Sequence, residues 1–311
     1  MTRNTAIALS TLAALTVASV LTGVASLSAD NLWLLYLSRL PRTAAAILAG
    51  AGLAVAGVIM QMLARNRFVE PSTAGTGESA ALGLVAITIF APGLPIWIQM
   101  GAATTSALLG TAVFLQIVRR LPRQDPLMVP LSGIVFGGII GAFTTFIAYE
   151  RDLLQYIGIW MGGEFSGVIL GRYEYLWIGG AMAIIAYFYA DRFTIAGMGD
   201  SASHSLGLNY RQVTRLGLAL VSVTSAITVV TVGMIPFVGL VVPNIVARIY
   251  GENLRRTLPV VAIFGACLVL FCDIIARLIR YPFEIPVGTV LGVLGAILFL
   301  YLLHTKARAR A

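Results

Sequence analysis

The residues able to do chemistry are few, and their spacing rules out most of what they could do. The 311 residues include one lysine (Lys306), two histidines, two cysteines and thirteen carboxylates. No G-x-x-x-x-G-K-[S/T] loop is present to put a lysine on nucleotide phosphates, so any ATP that drives this protein is hydrolysed by another polypeptide. His204 and His304 lie far apart, without partners at metal-ligand spacing, and no metal site is expected. Cys267 and Cys272 fall on different faces of one apolar segment, a poor geometry for a disulfide. They read as small core residues. No Ser/His/Asp or Cys/His arrangement stands out, so the sequence argues against an enzyme, with no catalytic residue and no cofactor bound by this chain.

Two carboxylates fall within or near apolar segments. Glu78 follows the stretch from Pro71 to Gly77, and two readings stay open for it: a group lining a pathway or carrying protons, or one that caps a helix start near the membrane edge. Asp273 precedes Arg277 by four residues, the spacing of a structural ion pair on a helix. Three further segments rise above generic character. Arg39-Leu40-Pro41-Arg42 sets two cations around a stiff proline; they either anchor at the interface by snorkelling or dock an acidic partner, together with Arg277 and Arg280. Asn66 to Gly75 is polar and bend-prone. Gly199-Asp200-Ser201-Ala202-Ser203-His204-Ser205-Leu206-Gly207-Leu208 reads as a short helix ended by glycine, either a plug for a soluble partner or a solvated loop helix.

The elements that position these groups are apolar. Hydrophobic residues make up 59% of the chain and charged residues 11%, with a mean hydropathy of +0.91. A soluble domain of this length carries roughly 25% charged residues, so the chain is a polytopic all-α membrane protein. The net charge of +8 arises from basic residues in short loops and gives no support to nucleic-acid binding. Ten spans are expected near 5–27, 43–64, 73–91, 96–118, 128–149, 173–190, 212–233, 237–250, 257–276 and 286–304, in one transmembrane domain over 1–311. The eighth is short and interrupted by Pro243. The apolar segment near 154–165 is too brief to cross and reads as a partial, re-entrant or interfacial helix. The first stretch ends in small residues (Ala25 to Ala29) like a secretory signal, but is longer than a signal core and is read as a retained span. With the N-terminus inside, 15 of the 21 basic residues fall in inner segments. The positive-inside rule thus places both termini in the cytoplasm. Small residues at spacings of three or four (Gly133/Gly137/Gly141, Gly288/Gly292/Gly295, and Gly50/Gly57 with Ala46 and Ala54) imply close helix packing.

In order along nearly the whole chain, these segments resemble the FecCD-type permease family, the membrane subunits of importers for iron-siderophores, haem and vitamin B12. Arg39 to Arg42, with the Ala/Gly-rich run through Gly57 to Gln61, looks like the opening signature, and Asn66 to Gly75 like the next loop. Gly199 to Gly207 looks like the ATPase-coupling helix. The stretch from Ile235 to Pro243, Leu258-Pro259, Asp273 with Ala276-Arg277, and Glu284 to Gly288 look like the late signatures. The resemblance implies a type II ABC importer permease of ten helices in a bacterial inner membrane. It implies as partners a second permease, identical or paralogous, an ABC ATPase dimer that carries the ATP, and an extracytoplasmic substrate-binding protein. Arg39, Arg42 and Arg277 would meet that protein's carboxylates; Asp200, Ser201, Ala202, Ser203, His204, Leu206 and Gly207 would sit in the ATPase. The pathway would run between the permeases, largely along span five, with Glu78, Asn66 and Pro71 as candidate pathway or gating residues.

The chain departs from many relatives, with Asn66-Arg67-Phe68 for Asn-Pro-Leu and Asn244 for a histidine. This variant looks like a branch associated with siderophore uptake, particularly catecholate chelates. The expected activity is import of an iron chelate by alternating access. The rival reading is a proton-coupled secondary transporter using Glu78.

Overall fold

The computed structural model describes residues 3–23, 33–121 and 128–308, and the described residues contain helices and no strand. In chain order the helices are α1 (Arg3–Leu21), α2 (Leu40–Ala64), α3 (Thr76–Phe90), α4 (Ile96–Arg120), α5 (Met128–Glu150), α6 (Leu154–Gly162), α7 (Leu176–Phe188), α8 (Ala190–Met198), α9 (Asp200–Ser205), α10 (Tyr210–Val232), α11 (Val238–Tyr250), α12 (Leu254–Leu278) and α13 (Val287–Arg308). A π-helical turn over Leu35–Arg39 leads into α2. Among the described residues five helices are long and apolar enough to cross a membrane, and α3, α11 and parts of α1 and α13 are shorter apolar helices. Each expected range has a helix in its place. The expected end of the first span, and the small residues at 25–29, lie outside the described residues. Helix α6 occupies the segment judged too brief to cross. Helix α8 was not foreseen.

Local chemistry sets the helix ends. Asn209 accepts the Gln212 N–H at 3.1 Å to cap α10, and Asn253 accepts the Arg256 N–H at 3.2 Å to cap α12. Pro243 lies inside α11 rather than breaking it. It lacks the N–H that would reach the Gly239 carbonyl. The Gln61 side chain, from α2, donates to that carbonyl instead, at 3.3 Å.

Helix α2 is the axis of the bundle. In its most apolar stretch 78% of residues are buried, against 28% in α4 and 22% in α5. Lipid offers no hydrophobic drive between helices, so backbones must approach closely, and the glycines allow it. A Cβ on Gly50 would stand 2.4 Å from the Gly265 carbonyl of α12, and one on Gly57 2.1 Å from the Gly239 carbonyl of α11. On α5, a Cβ on Gly133 would stand 2.0 Å from the Thr73 carbonyl. That helix therefore lays its glycine face on the loop before α3 and leaves Ile134, Ile139, Phe143 and Phe146 exposed. Hydroxyl pairs add directed contacts between helices: Ser19 with Thr43 at 2.9 Å, and Thr76 with Thr111 at 2.8 Å.

Candidate functional site

Two ends of the bundle carry the polar residues. At one end α1 finishes, α2 begins and α12 finishes. There Arg42 Nη2 lies 2.7 Å from Asp273 Oδ1, and Arg42 Nη1 lies 2.8 Å from Glu284 Oε2. The Asp273–Arg277 pair forms as its spacing predicts: Arg277 Nη2 stands 2.6 Å from Asp273 Oδ2. That oxygen makes no directed hydrogen bond, so the contact is one of charge. Arg277 also donates to the Ser19 and Thr22 carbonyls at 3.0 and 2.8 Å. Arg39 donates to the Val20 carbonyl at 3.1 Å.

The expected docking set of Arg39, Arg42, Arg277 and Arg280 thus divides by depth. Arg39, Arg42 and Arg277 are buried, at 9%, 9% and 6% exposure. Their guanidiniums tie α1, α2, α12 and the segment before α13 together. Arg280 alone of the four is exposed, 5.7 Å from the Phe283 ring and beside exposed Ile279 and Tyr281.

At the other end α9 projects from the bundle. Gly207 is left-handed (φ +71°). Its N–H reaches the His204 carbonyl at 3.0 Å, and the Leu208 N–H reaches the Ser203 carbonyl at 2.8 Å, which is a Schellman stop. Ser203 is buried, and its hydroxyl reaches the Gly199 carbonyl at 2.6 Å and the Ile195 carbonyl of α8 at 3.3 Å, the second contact holding the short helix against α8. Ala202 is partly covered. Asp200, Ser201, His204, Leu206 and Gly207 are exposed, so α9 offers an open ridge tipped by an apolar leucine. Arg65, at the end of α2, lies against its base: a Cβ on Gly199 would stand 2.8 Å from Arg65 Nη1.

From the α9 end inward run the candidate pathway residues. Asn66 accepts the Phe68 N–H at 2.8 Å, and buried Pro71 precedes the short 3-10 turn Ser72–Ala74. Glu78 lies in the first turn of α3, against α5: a Cβ on Gly137 would stand 3.3 Å from its carboxyl carbon. Its Oε2 is buried without a hydrogen-bond partner. Both readings of Glu78 thus have a physical basis, at a helix start and against the glycine face of α5. The three sets do not converge on one pocket, as a surface for several partners would require. Sequence reasoning passed over Glu70. It is 2% exposed and accepts the Phe237 N–H at 2.7 Å.

Among the described residues, an all-helical bundle with five helices long and apolar enough to cross a membrane is the architecture of a multi-pass membrane protein. The chain belongs to the FecCD transport family, whose model matches residues 5–305. It is 44% identical over 305 residues to the petrobactin import system permease protein YclN of Bacillus subtilis, covering 95% of this chain and 96% of that one. It is 42% identical to the ferric-anguibactin transport system permease protein FatD of Vibrio anguillarum, covering 90% of each. A solved metal-chelate type ABC transporter in an inward-facing conformation shares the fold, with a TM-score of 0.81 at 23% identity over 96% of this chain and 97% of that one. None of these similarities supports the proton-coupled alternative.

Proposed function

We propose that this chain is the membrane-spanning permease of an ATP-driven importer that moves an iron-siderophore complex into the cytoplasm by alternating access. The observation that carries the reading is end-to-end similarity to permeases named for petrobactin and ferric-anguibactin. In this reading the chain works in a bacterial cytoplasmic membrane with both termini inside. A second permease packs on the exposed face of α5, two ATPases receive α9, and an extracytoplasmic binding protein delivers the chelate. Affinity then resides in the binding protein. Purification from native membranes should retain a subunit with a Walker-type phosphate loop. Reproducible loss of every ATPase, with chelate uptake intact, would overturn the proposal.

Two substitutions probe the two ends. Gly207→Leu strains a left-handed position by about 1–2 kcal/mol and puts bulk on the exposed tip of α9, where a Cβ meets no atom of this chain within 4 Å. Membrane insertion should persist while chelate imported per ATP falls about tenfold, as expected for a misplaced coupling contact. Normal coupling would remove α9 from the ATPase interface. At the opposite end Arg280→Glu should weaken capture of the binding protein by about fivefold at low salt, the size of one exposed charge contact. The loss should shrink at high salt, where screening already weakens the wild-type attraction.

A further inference from the structure

Helix α11 begins in the interior of the bundle, where its start needs a partner. Val238, Gly239, Leu240 and Val241 are all buried, and the first N–H groups of a helix have no intrahelical acceptor. The cap position holds Phe237, left-handed (φ +67°) and without a side-chain acceptor. Glu70 supplies the acceptor from across the bundle. Its Oε1 takes the Phe237 N–H at 2.7 Å and the Ser72 hydroxyl at 2.6 Å. The ion pairs among the described residues do not include Glu70. Burial pushes its carboxyl up to about 7, opposed by those hydrogen bonds. A buried acid without a cation is costly; the positive end of α11 is what makes this position tolerable.

The segment carrying Glu70 also touches α11 further along, and α13. Nearer the α9 end, Asn244 of α11 donates to the Arg67 carbonyl at 2.8 Å, and Arg67 pairs with Glu252 just beyond α11. The residue before this segment's first asparagine, Arg65, rests against Gly199 at the foot of α9. Phe68 meets Phe299 of α13 edge to face at 5.9 Å. Phe237 packs on α13 so closely that a Cβ on Gly295 would stand 2.3 Å from its own Cβ.

We propose that Glu70 is a positioning residue of the transport cycle, capping α11 in trans so that α11 and α13 move with the segment that α9 pushes. The inference rests on α9 being the ATPase-coupling helix. With the cap gone, the segment holds only the far end of α11, through Asn244 and Glu252, and the first turn keeps only the Gln61 contact from α2. Its first turn is then free to slip against the segment, and a push at α9 is lost before it reaches α13.

The test uses the assembled importer in proteoliposomes, reading chelate imported per ATP hydrolysed, and hydrogen exchange on the purified chain. Glu70→Ala should assemble and keep its basal ATPase, while import per ATP falls about tenfold. The amides of residues 237–240 should exchange about tenfold faster, the scale of one lost buried hydrogen bond, with α10 unchanged. Glu70→Gln keeps an acceptor oxygen and should stay within about threefold of wild type on both readouts. Where Glu70→Ala does not assemble, Glu70→Asp carries the test: it keeps the charge but draws the carboxylate back from Phe237, and should uncouple likewise. Wild-type import per ATP in either truncated variant, or unchanged exchange at residue 237, would overturn the inference. A wild-type complex that imports nothing on ATP would instead count against the proposed function, and the exchange readout would still decide the cap.

Discussion

Asp273→Asn should be the most destabilising polar substitution in this chain, by about 3–5 kcal/mol, because it leaves buried charge without compensation. Asp273 is fully buried and holds Arg42 and Arg277, themselves buried, with Glu284 as the second acid of the cluster. Two cations and two anions balance. Asparagine preserves the shape and one acceptor but leaves two guanidiniums facing one carboxylate, and Glu284 is the more exposed of the two acids. The penalty falls on α1, α2 and α12 together, because Arg277 also holds the Ser19 and Thr22 carbonyls. Thermal unfolding in detergent or nanodiscs would measure it. High salt should not change the loss, since buried pairs are poorly screened. The exposed Arg67–Glu252 pair is the comparison: Glu252→Gln there should cost about 0–1 kcal/mol. Equal losses at the two sites would mean that the cluster is open to water.

The bundle was legible in the sequence because lipid imposes a length on every apolar run, so expected spans such as 257–276 lie inside helices such as Leu254–Leu278. Helix α9 was legible because its stop is local: Gly207 alone reports the left-handed residue. The depth of the arginines was not. Arg42 looks like an outer-face cation until Asp273, 231 residues away, is brought beside it. Helix α8 was missed because Asp191 and Arg192 read as loop, whereas Asp191 lies in its first turn and pairs across to Arg255. Glu70 had no local signal, its partner lying 167 residues downstream. The one available hint was indirect: a helix start at Phe237, with no capping side chain, must find its acceptor elsewhere.

Gly50→Leu should cost about 3 kcal/mol or more, near the top of the range for overpacking, and should act by separating α2 from α12 rather than by weakening either helix. By intrinsic propensity leucine would strengthen α2 by roughly 0.5–1 kcal/mol over glycine, so the sign of the result decides between local and tertiary control. The geometry at the crossing is reciprocal. A Cβ on Gly50 would meet the Gly265 carbonyl at 2.4 Å, and one on Gly265 the Gly50 carbonyl at 2.3 Å. Both obstacles are backbone, which cannot rotate aside as a side chain would, and the helices would have to part along their length. Parting them also stretches the Arg42–Asp273 contact, since those residues lie two turns further along the same pair of helices. Gly50→Leu and Asp273→Asn should therefore combine less than additively. Gly292→Ala in α13, where a Cβ meets nothing within 4 Å, should be neutral or stabilising by up to about 1 kcal/mol. Unfolding midpoints for the two glycine variants would separate the effects. Parallel gains at Gly50 and Gly292 would show that helix propensity governs this bundle; opposite signs would place its stability in the approach of α2 to α12.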